Sequence, residues 1–320
     1  LCILFNIFLY FSCIYWNEFK QVLIKSFIIS KDADTRLDKF LKRKFTSLTQ
    51  SFIEKNIRKK NILINNKKIS AKYVVKKNDE LKILNFHEQK YKNKIIYRKK
   101  ITIPLNINYL FEKSIIFENK NFIILNKWSS ISTQGGSKIN FSIDDIIKNI
   151  SPEYKLVHRL DKDTSGLLII SKNLISAKNF GNLFKSKLID KTYLAICEGK
   201  PKLKESILKL NIKNKISKYE KTETYYKLLY YSKGVSLILF KPKTGKTHQI
   251  RIVAKNIGAP IVGDTKYNIQ PNYKKEILKL NAYQLKFKFF NEEYSFQSIL
   301  PKDFTTFIKK NNLKNLKKYY

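Results

Sequence analysis

Several residue types are scarce or missing in this 320-residue chain, and each absence narrows what the chain can be. Methionine is absent and the first residue is leucine, which fits a non-standard start codon, a truncation or an upstream extension of the gene. The three cysteines, Cys2, Cys13 and Cys197, have neither metal-ligand spacing nor the pattern of a disulfide framework. We therefore expect a reducing, cytoplasmic environment.

Long apolar runs are also missing, because none reaches the roughly 20 residues that a membrane-spanning helix needs. Residues 1–16 are apolar apart from Asn6 and Ser12, but no basic segment precedes them and no small-residue cleavage site follows. We expect residues 1–25 to be an extension that neither spans nor anchors in a membrane.

Arginine is the scarce cation: lysine and arginine together number 64, and only six are arginine. Lysine is the default in such a composition, so an arginine marks a place where its planar, five-donor fork is needed. The six are Arg36, Arg43, Arg58, Arg98, Arg159 and Arg251. Two of the three histidines, His158 and His248, lie within three residues of an arginine.

Positive charge is abundant, with a formal net charge of +39. This excess predicts a polyanionic partner, with nucleic acid favoured over an anionic membrane surface. Aromatic residues make up 13% of the chain and can stack on unpaired bases, although most of them will be core.

The most informative stretch is residues 157–170. A charged loop lies there between two apolar segments, each typical of a buried strand. The loop contains His158, Arg159, Asp161, Lys162 and Asp163, followed by the turn-forming Thr164, Ser165 and Gly166. A loop held between two buried strands keeps its side chains in position, as catalysis requires. A solvated turn whose charges pair with one another is the alternative that this segment alone leaves open.

These loop residues resemble the signature loop of the RluA/RluC/RluD family of RNA pseudouridine synthases. Further family-like blocks follow in order, namely Lys191 to Ala195, Thr244 to Arg251, and Gly258 to Tyr267. The resemblance covers about residues 117–300, and several ordered blocks make it specific. The loop from Gln134 to Ser137 is most like the RluC branch. Three positions depart from the family pattern: Trp128, Val253 and Asn268.

The patterning and the resemblance together predict an α+β chain of two domains. Residues 26–88 resemble a small RNA-binding domain of the S-four type, with an ordinary mini-domain bearing solvated lysines as the alternative. We expect one helix from Asp34, capped by Asp34 or Thr35, and a second from about Thr49 to Lys59. Short strands are expected at residues 62–64, 74–75 and 81–83. The basic helix faces offer three candidate RNA contacts: Arg36, Arg43 and Arg58.

Residues 89–115 are polar and basic with little periodicity, and we interpret them as a linker. Residues 116–300 are the expected catalytic domain, a pseudouridine-synthase fold with a mixed, largely antiparallel sheet and a central catalytic cleft. Residues 301–320 form a basic tail in this interpretation.

Short sequence patterns predict individual helices and strands in the expected catalytic domain. Ser142 and Asp145 have capping-box spacing, and Asn173 begins a helix whose predicted buried stripe includes Leu174 and Phe180. Residues 191–198 alternate as a strand, which puts Tyr193, Ala195 and Cys197 on one face. Thr247 is the expected cap of a further helix, with Ile250, Val253, Ala254 and Ile257 on its buried side.

The resemblance implies that the enzyme breaks the N1-to-ribose bond of a uridine, turns the base and rejoins it through C5. Such a reaction needs no redox change, so we expect neither cofactor nor metal. Asp161 would act as nucleophile at C1′ or base at C2′. Arg251 would pair with Asp161 and keep it ionised, and Tyr193 would stack on the base and take the C5 proton. Arg159 would fill the gap left by the flipped nucleotide, with His158, Thr247 and His248 as further RNA contacts.

The expected substrate is 23S large-subunit ribosomal RNA, modified by a monomer. A tRNA-directed synthase of the same family and a non-catalytic RNA-binding or ribosome-assembly protein are the alternatives. A glycosidase would need two carboxylates across a cleft, and only Asp161 stands out in that role.

Overall fold

The computed structural model describes residues 23–30, 33–93, 102–136, 139–213 and 219–313. The chain divides into two compact units, Leu1–Lys100 and Ile101–Tyr320. The apolar residues 1–16 and Ser137 of the predicted RluC-like loop lie outside the described residues. Within the described ranges, no helix is both long enough and apolar enough to cross a membrane.

The first unit is a small α+β structure. Its strands are β1 (Ile24–Ile28), β2 (Thr35–Arg36), β3 (Ile62–Ile64), β4 (Val74–Val75) and β5 (Glu80–Leu84), and its helices are α1 (Leu37–Lys44) and α2 (Gln50–Arg58). Strands β1, β5 and β3 form an antiparallel sheet in that order, and β2 pairs with β4. The predicted strands and the predicted second helix are confirmed.

The start of the first helix differs from the prediction. Thr35 and Arg36 pair with Val75 and Val74 as a short strand, and Asp34 has a positive φ of 59°. The N-cap is Arg36, which makes no side-chain capping bond. Neither Asp34 nor Thr35 is therefore the N-cap, because strand pairing with a distant segment takes the residues that the local pattern assigned to the cap.

The predicted linker, residues 89–115, is partly structured. Tyr91 is buried in the core of the first unit and stacks on Phe86 at 4.8 Å between ring centroids. Further along, helix α3 (Leu105–Lys113) follows Pro104 and buries Phe111. Proline suits the position before a first turn, since its φ is already near the helical value. The weak periodicity of this short helix hid it from the sequence analysis.

The second unit is built on one large sheet. Its strands are β6 (Ile115–Glu118), β7 (Phe122–Lys127), β8 (Lys155–Leu156), β9 (Ser165–Ser171), β10 (Asp190–Glu198), β11 (Glu205–Lys213), β12 (Tyr219–Ser232), β13 (Val235–Pro242), β14 (Leu280–Phe289) and β15 (Glu292–Gln297). The order is β11-β12-β13-β10-β14-β9-β7-β6, with β15 beside β14 and β8 beside β9. The β9–β14 pair is parallel and the other pairs are antiparallel, as the predicted mixed sheet requires.

Besides α3, the described part of this unit contains four helices: α4 (Ile143–Ile150), α5 (Leu174–Lys185), α6 (Gln249–Asn256) and α7 (Lys302–Lys310). The capping box of Ser142 and Asp145 and the cap by Asn173 are confirmed. The predicted stripe of α5 is wrong at Leu174, which is 62% exposed, whereas Phe180 is fully buried. Six residues correspond to about 240° around a helix, so both cannot face the sheet.

The predicted basic tail, residues 301–320, begins as the helix α7 and not as a tail. Phe304 and Phe307 are buried against the sheet, and Asp303 pairs at 2.7 Å with Lys279, whose side chain is completely buried. Phe304 and Phe307 lie three residues apart on one face of this helix. Two such residues were too few to distinguish a helix from a charged tail in the sequence.

Gly166 lies where β9 runs between β7 and β14, and its backbone has a φ of +106°. We expect Gly166→Ala to lower the free energy of unfolding by about 2–5 kcal/mol, since a Cβ would lie 2.4 Å from the carbonyl oxygen of Ala282. Gly181→Ala, on an open face of α5, is the control and should be neutral or stabilising by up to about 1 kcal/mol. Urea denaturation of both variants measures this, and equal stabilities would refute the packing argument.

Candidate active site

The predicted strand–loop–strand arrangement is confirmed. Strand β8 pairs antiparallel with β9, Leu156 opposite Ile170, and residues 157–164, which include the charged residues of the predicted loop, connect them. Thr133 holds this loop by its side chain: its Oγ1 donates to the carbonyl of Leu160 at 2.7 Å and accepts the N–H of Leu160 at 3.2 Å. Asp161 follows directly, with its side chain 32% exposed. The loop backbone is thus fixed while the Asp161 carboxylate stays accessible.

Lys127, a residue to which the sequence patterns assigned no role, also holds this loop. Its side chain is 1% exposed, and Nζ donates at 3.0 Å to the carbonyl oxygens of Trp128, Ile131 and Lys162. Burial lowers the pKa of Lys127 to about 7, against the attraction of the nearby loop aspartates. The sequence did contain a signal for this role, namely a lysine at the end of an apolar segment typical of a buried strand. A charged group at such a position must find hydrogen-bond partners inside the protein.

Tyr193 lies on β10, on the strand face that also carries Ala195 and Cys197, as predicted. Burial raises the pKa of its phenol well above the ordinary value, and the negative charge of Asp161 raises it further. The hydroxyl therefore stays protonated at neutral pH. That state suits stacking on a base but makes Tyr193 a poor acceptor for the C5 proton assigned to it from the sequence.

Arg251 has a different partner from the one predicted. Its Nε and Nη2 donate to the two carboxylate oxygens of Asp264 at 2.8 and 2.6 Å, and both residues are buried. Asp264 is prepared for this pair because its Oδ1 also accepts the N–H groups of Lys266 and Tyr267. Asp161 attracts Arg251 only at longer range. The prediction of an Arg251–Asp161 salt bridge is wrong for this structure.

The pair also explains the charge states of its members. Burial by itself raises the pKa of Asp264, but the hydrogen bonds from Arg251 and from two backbone N–H groups hold it below the ordinary value. Burial disfavours the Arg251 cation, yet Asp264 raises its pKa overall. Both side chains are therefore charged at neutral pH.

The helix after the β13 turn begins later than predicted. Thr247 does not cap it; the N-cap is His248, whose backbone is left-handed with φ 55°. Gln249 satisfies the turn instead: its Oε1 accepts from Thr244 Oγ1 and Lys246 N–H, and its Nε2 donates to Thr224 Oγ1. The longer side chain of Gln249, on the first residue of the helix, therefore bonds to both the turn and strand β12.

The two loop histidines are held differently. Nε2 of His158 accepts the backbone N–H of Ile169 at 2.8 Å, and its ring lies 4.8 Å from that of Phe184. Burial, aided by Lys191, lowers the pKa of His158 to about 3. Nε2 of His158 is thus bonded inside the fold, while the residue also borders the cleft, so its role as an RNA contact stays a prediction. His248 places Nε2 3.8 Å from Oδ2 of Asp161.

These groups border one cleft of about 1200 Å³. Asp161, Tyr193, His248 and Arg251 all line it, together with the exposed Arg159, whose Nη1 lies 3.5 Å from Oε1 of Gln134. Among the described residues of the lining, Asp161 carries the only carboxylate. Besides Arg159 and Arg251, lysines supply the positive charge of this lining: Lys162, Lys185, Lys187, Lys191, Lys213, Lys243, Lys246 and Lys266. The cleft therefore combines one accessible anion with a basic wall.

Of the three arginines predicted to bind RNA in the first unit, Arg43 and Arg58 lie on helices, whereas Arg36 ends strand β2 and is the N-cap of α1. Arg36 forms a bidentate pair with Asp38 at 3.1 and 2.7 Å, so its fork is engaged within the protein. Arg43 and Arg58 are exposed on α1 and α2. The predicted basic helix faces are therefore present, and Arg36 is the arginine of the three that is seen to pair with Asp38.

A basic cleft on a mixed sheet, with one carboxylate among its described lining residues, suits a polyanionic substrate. Residues 121–256 match the family described as RNA pseudouridylate synthase, and residues 35–81 match the S4 domain. The chain is 39% identical over 291 residues to Ribosomal large subunit pseudouridine synthase C of Rickettsia bellii, covering 84% of this chain and 96% of that protein. It belongs to the RNA pseudouridylate synthase family.

Other relatives and structures agree. The chain is 35% identical over 269 residues to the synthase of the same name from Buchnera aphidicola subsp. Acyrthosiphon pisum, covering 77% of this chain and 83% of that one. Human RNA Pseudouridylate Synthase Domain Containing 4 matches the fold with a TM-score of 0.58 at 21% identity, covering 65% of this chain and 96% of that chain. The predicted family and its RluC-like branch are confirmed.

We expect Arg251→Ala to lower the free energy of unfolding by about 3–5 kcal/mol at pH 7, because Asp264 would stay buried without its cation. The deficit should shrink as the pH falls below about 4, where wild type also loses the stability that ionised Asp264 contributes. Urea titrations at several pH values measure this.

Lys148→Ala, which removes a partly exposed ion pair with Asp144 within α4, is the control and should cost no more than about 0.5 kcal/mol. A deficit in Arg251→Ala that is independent of pH would contradict the role given to Asp264.

Proposed function

We propose that this protein isomerises specific uridines of large-subunit ribosomal RNA to pseudouridine, with Asp161 as the catalytic carboxylate. The observation that carries the proposal is the placement of Asp161: it lies on a loop whose backbone is held by Thr133 and Lys127, and it faces a basic cleft. The names of the relatives, which are large-subunit pseudouridine synthases, support the choice of RNA.

The residues of the cleft fit a one-carboxylate mechanism. Asp161 attacks C1′ or removes a proton at C2′, and in either case the N1 glycosidic bond breaks. The freed uracil turns while stacked on Tyr193, and its C5 bonds to C1′ as Asp161 leaves C1′ or returns the proton to C2′. The C5 proton is lost to solvent and N1 takes up one proton, so the net change is an isomerisation. A two-carboxylate glycosidase mechanism finds no second acid among the described lining residues.

RNA binding would be shared between the cleft and the S4 domain. Arg159 is exposed at the cleft and placed to occupy the space that a flipped nucleotide leaves, with Thr247 at the same rim. Arg43 and Arg58 would contact phosphates from the first unit. Since the cleft groups come from a single chain, we propose a monomer acting in the cytoplasm, where ribosomal RNA is found.

Asp161→Asn should abolish pseudouridine formation, a loss of at least about 10³-fold, while RNA affinity stays within about twofold of wild type. The amide keeps the shape of the side chain and loses its charge and nucleophilicity. Pseudouridine mapping on transcribed large-subunit ribosomal RNA measures the product. Asp163→Asn, two residues along the same loop, is the matched control and should keep the activity. Normal product from Asp161→Asn would refute the assignment.

Replacing Arg43 and Arg58 together by Gln should weaken RNA binding and lower the slope of log affinity against log salt by about 1–2 units. Each side chain that neutralises a phosphate contributes somewhat less than one unit. Filter binding at several salt concentrations gives the slope, and the single-turnover rate at saturating RNA should not change. Lys309→Gln, an exposed change on α7, is the control. An unchanged slope in the double variant would mean that these helices do not hold the RNA.

A further inference from the structure

His248 occupies a strained position between two polar groups. Its Nδ1 lies 3.0 Å from Oη of Tyr267, and its Nε2 lies 3.8 Å from Oδ2 of Asp161. Its φ of 55° is in the left-handed region, where residues other than glycine are uncommon. At this N-cap of α6 the ring of His248 lies between Tyr267 and Asp161.

The tautomer of His248 decides what the ring offers to Asp161. A neutral imidazole has one N–H and one lone pair. If Nδ1 carried the proton, the lone pair of Nε2 would face the carboxylate and the two would repel. If Oη of Tyr267 donates to Nδ1 instead, the N–H of Nε2 points at the carboxylate. The second arrangement satisfies both contacts and is electrostatically favoured.

Burial, more than the surrounding charges, keeps the ring of His248 neutral. Burial lowers the pKa of His248; Asp161 opposes this shift, Arg251 and Lys266 add to it, and Asp264 opposes it more weakly. The ring therefore carries one proton at neutral pH, so its hydrogen-bond partner at Nδ1 determines where that proton lies.

Tyr267 is itself held in place by the buried ion pair. Its N–H donates to Oδ1 of Asp264 at 3.0 Å, and its ring centroid lies 5.2 Å from the guanidinium carbon of Arg251. Contacts thus run from Arg251 and Asp264 through Tyr267 and His248 to Asp161. Arg251 can influence the carboxylate along this path without touching it.

We propose that Tyr267 holds His248 in the Nε2–H tautomer and that His248 is thereby the positioning residue for the Asp161 carboxylate. This inference rests on the proposed function, since it concerns the same carboxylate. A separation of 3.8 Å exceeds a hydrogen bond, and catalytic contacts commonly tighten when substrate fills the site. A shift of about 1 Å on RNA binding would complete the bond.

Two replacements of His248 distinguish the roles of its two ring nitrogens, Nδ1 and Nε2. Gln places its amide N–H near the position of Nε2, whereas Asn reaches only to the position of Nδ1 and tolerates the left-handed backbone. His248→Asn should lower the single-turnover rate at saturating ribosomal RNA by about 10- to 100-fold, and His248→Gln should retain it within about threefold. Tyr267→Phe removes the hydroxyl that bonds Nδ1 of His248, and its single-turnover rate should lie between the rates of these two variants.

The pH profile distinguishes positioning from a merely structural role. Without the Nε2–H donor the ionised carboxylate is less stable, so the acidic limb of the rate profile should move to higher pH in His248→Asn, by about 0.5 to 1 unit. His248→Gln should restore the wild-type limb. His87→Asn and Tyr231→Phe, which change the same residue types on the surface, should leave rate and profile unchanged.

Three results would overturn the proposal. His248→Asn could match wild type in both rate and acidic limb, or Gln could fail to rescue the Asn defect. RNA affinity could fall while the saturating rate stays unchanged, which would make His248 an RNA contact instead. Failure of the underlying function is recognised separately: wild-type protein would then yield no pseudouridine on transcribed large-subunit ribosomal RNA.

Discussion

The buried ion pair of Arg251 and Asp264 is the interaction on which the catalytic unit depends most. Removing two charges from water costs several kcal/mol for each ion, and the cost is offset only when the remaining hydrogen-bonding capacity is used. Here the carboxylate accepts two bonds from the guanidinium and two from backbone N–H groups. The pair joins α6 to the turn that carries Tyr267, and both segments border the cleft.

A second constraint acts on the loop that carries Asp161. Lys127 and Thr133 hold this loop through backbone carbonyl and amide groups, and neither takes the Asp161 carboxylate as a hydrogen-bond partner. Fixing the backbone while leaving the side chain accessible suits the role proposed for Asp161, because a reacting carboxylate must be both oriented and available. Gly166 completes the arrangement by letting β9 approach β14 closely at the end of the loop.

Sequence patterns were most reliable where the interactions are local. The capping box of Ser142 and the cap by Asn173 involve residues three apart, and the strand around Tyr193 follows from simple alternation. Local patterns misled where a distant segment competed. Thr35 joins a strand with Val75 and so does not cap a helix. The helix at residues 105–113 was missed for another reason, its weak apolar periodicity.

The sequence by itself determined the family, the α+β class, the strand–loop–strand around Asp161 and the strand face of Tyr193, because ordered motifs and short-range periodicity carry that information. Only the tertiary structure decided the partner of Arg251, the bonding of His158 and the three-carbonyl site of Lys127. The choice of partner by a buried polar side chain depends on which acceptor the fold brings within about 3 Å. For Arg251 that acceptor is Asp264, 13 residues away, and not the more distant Asp161.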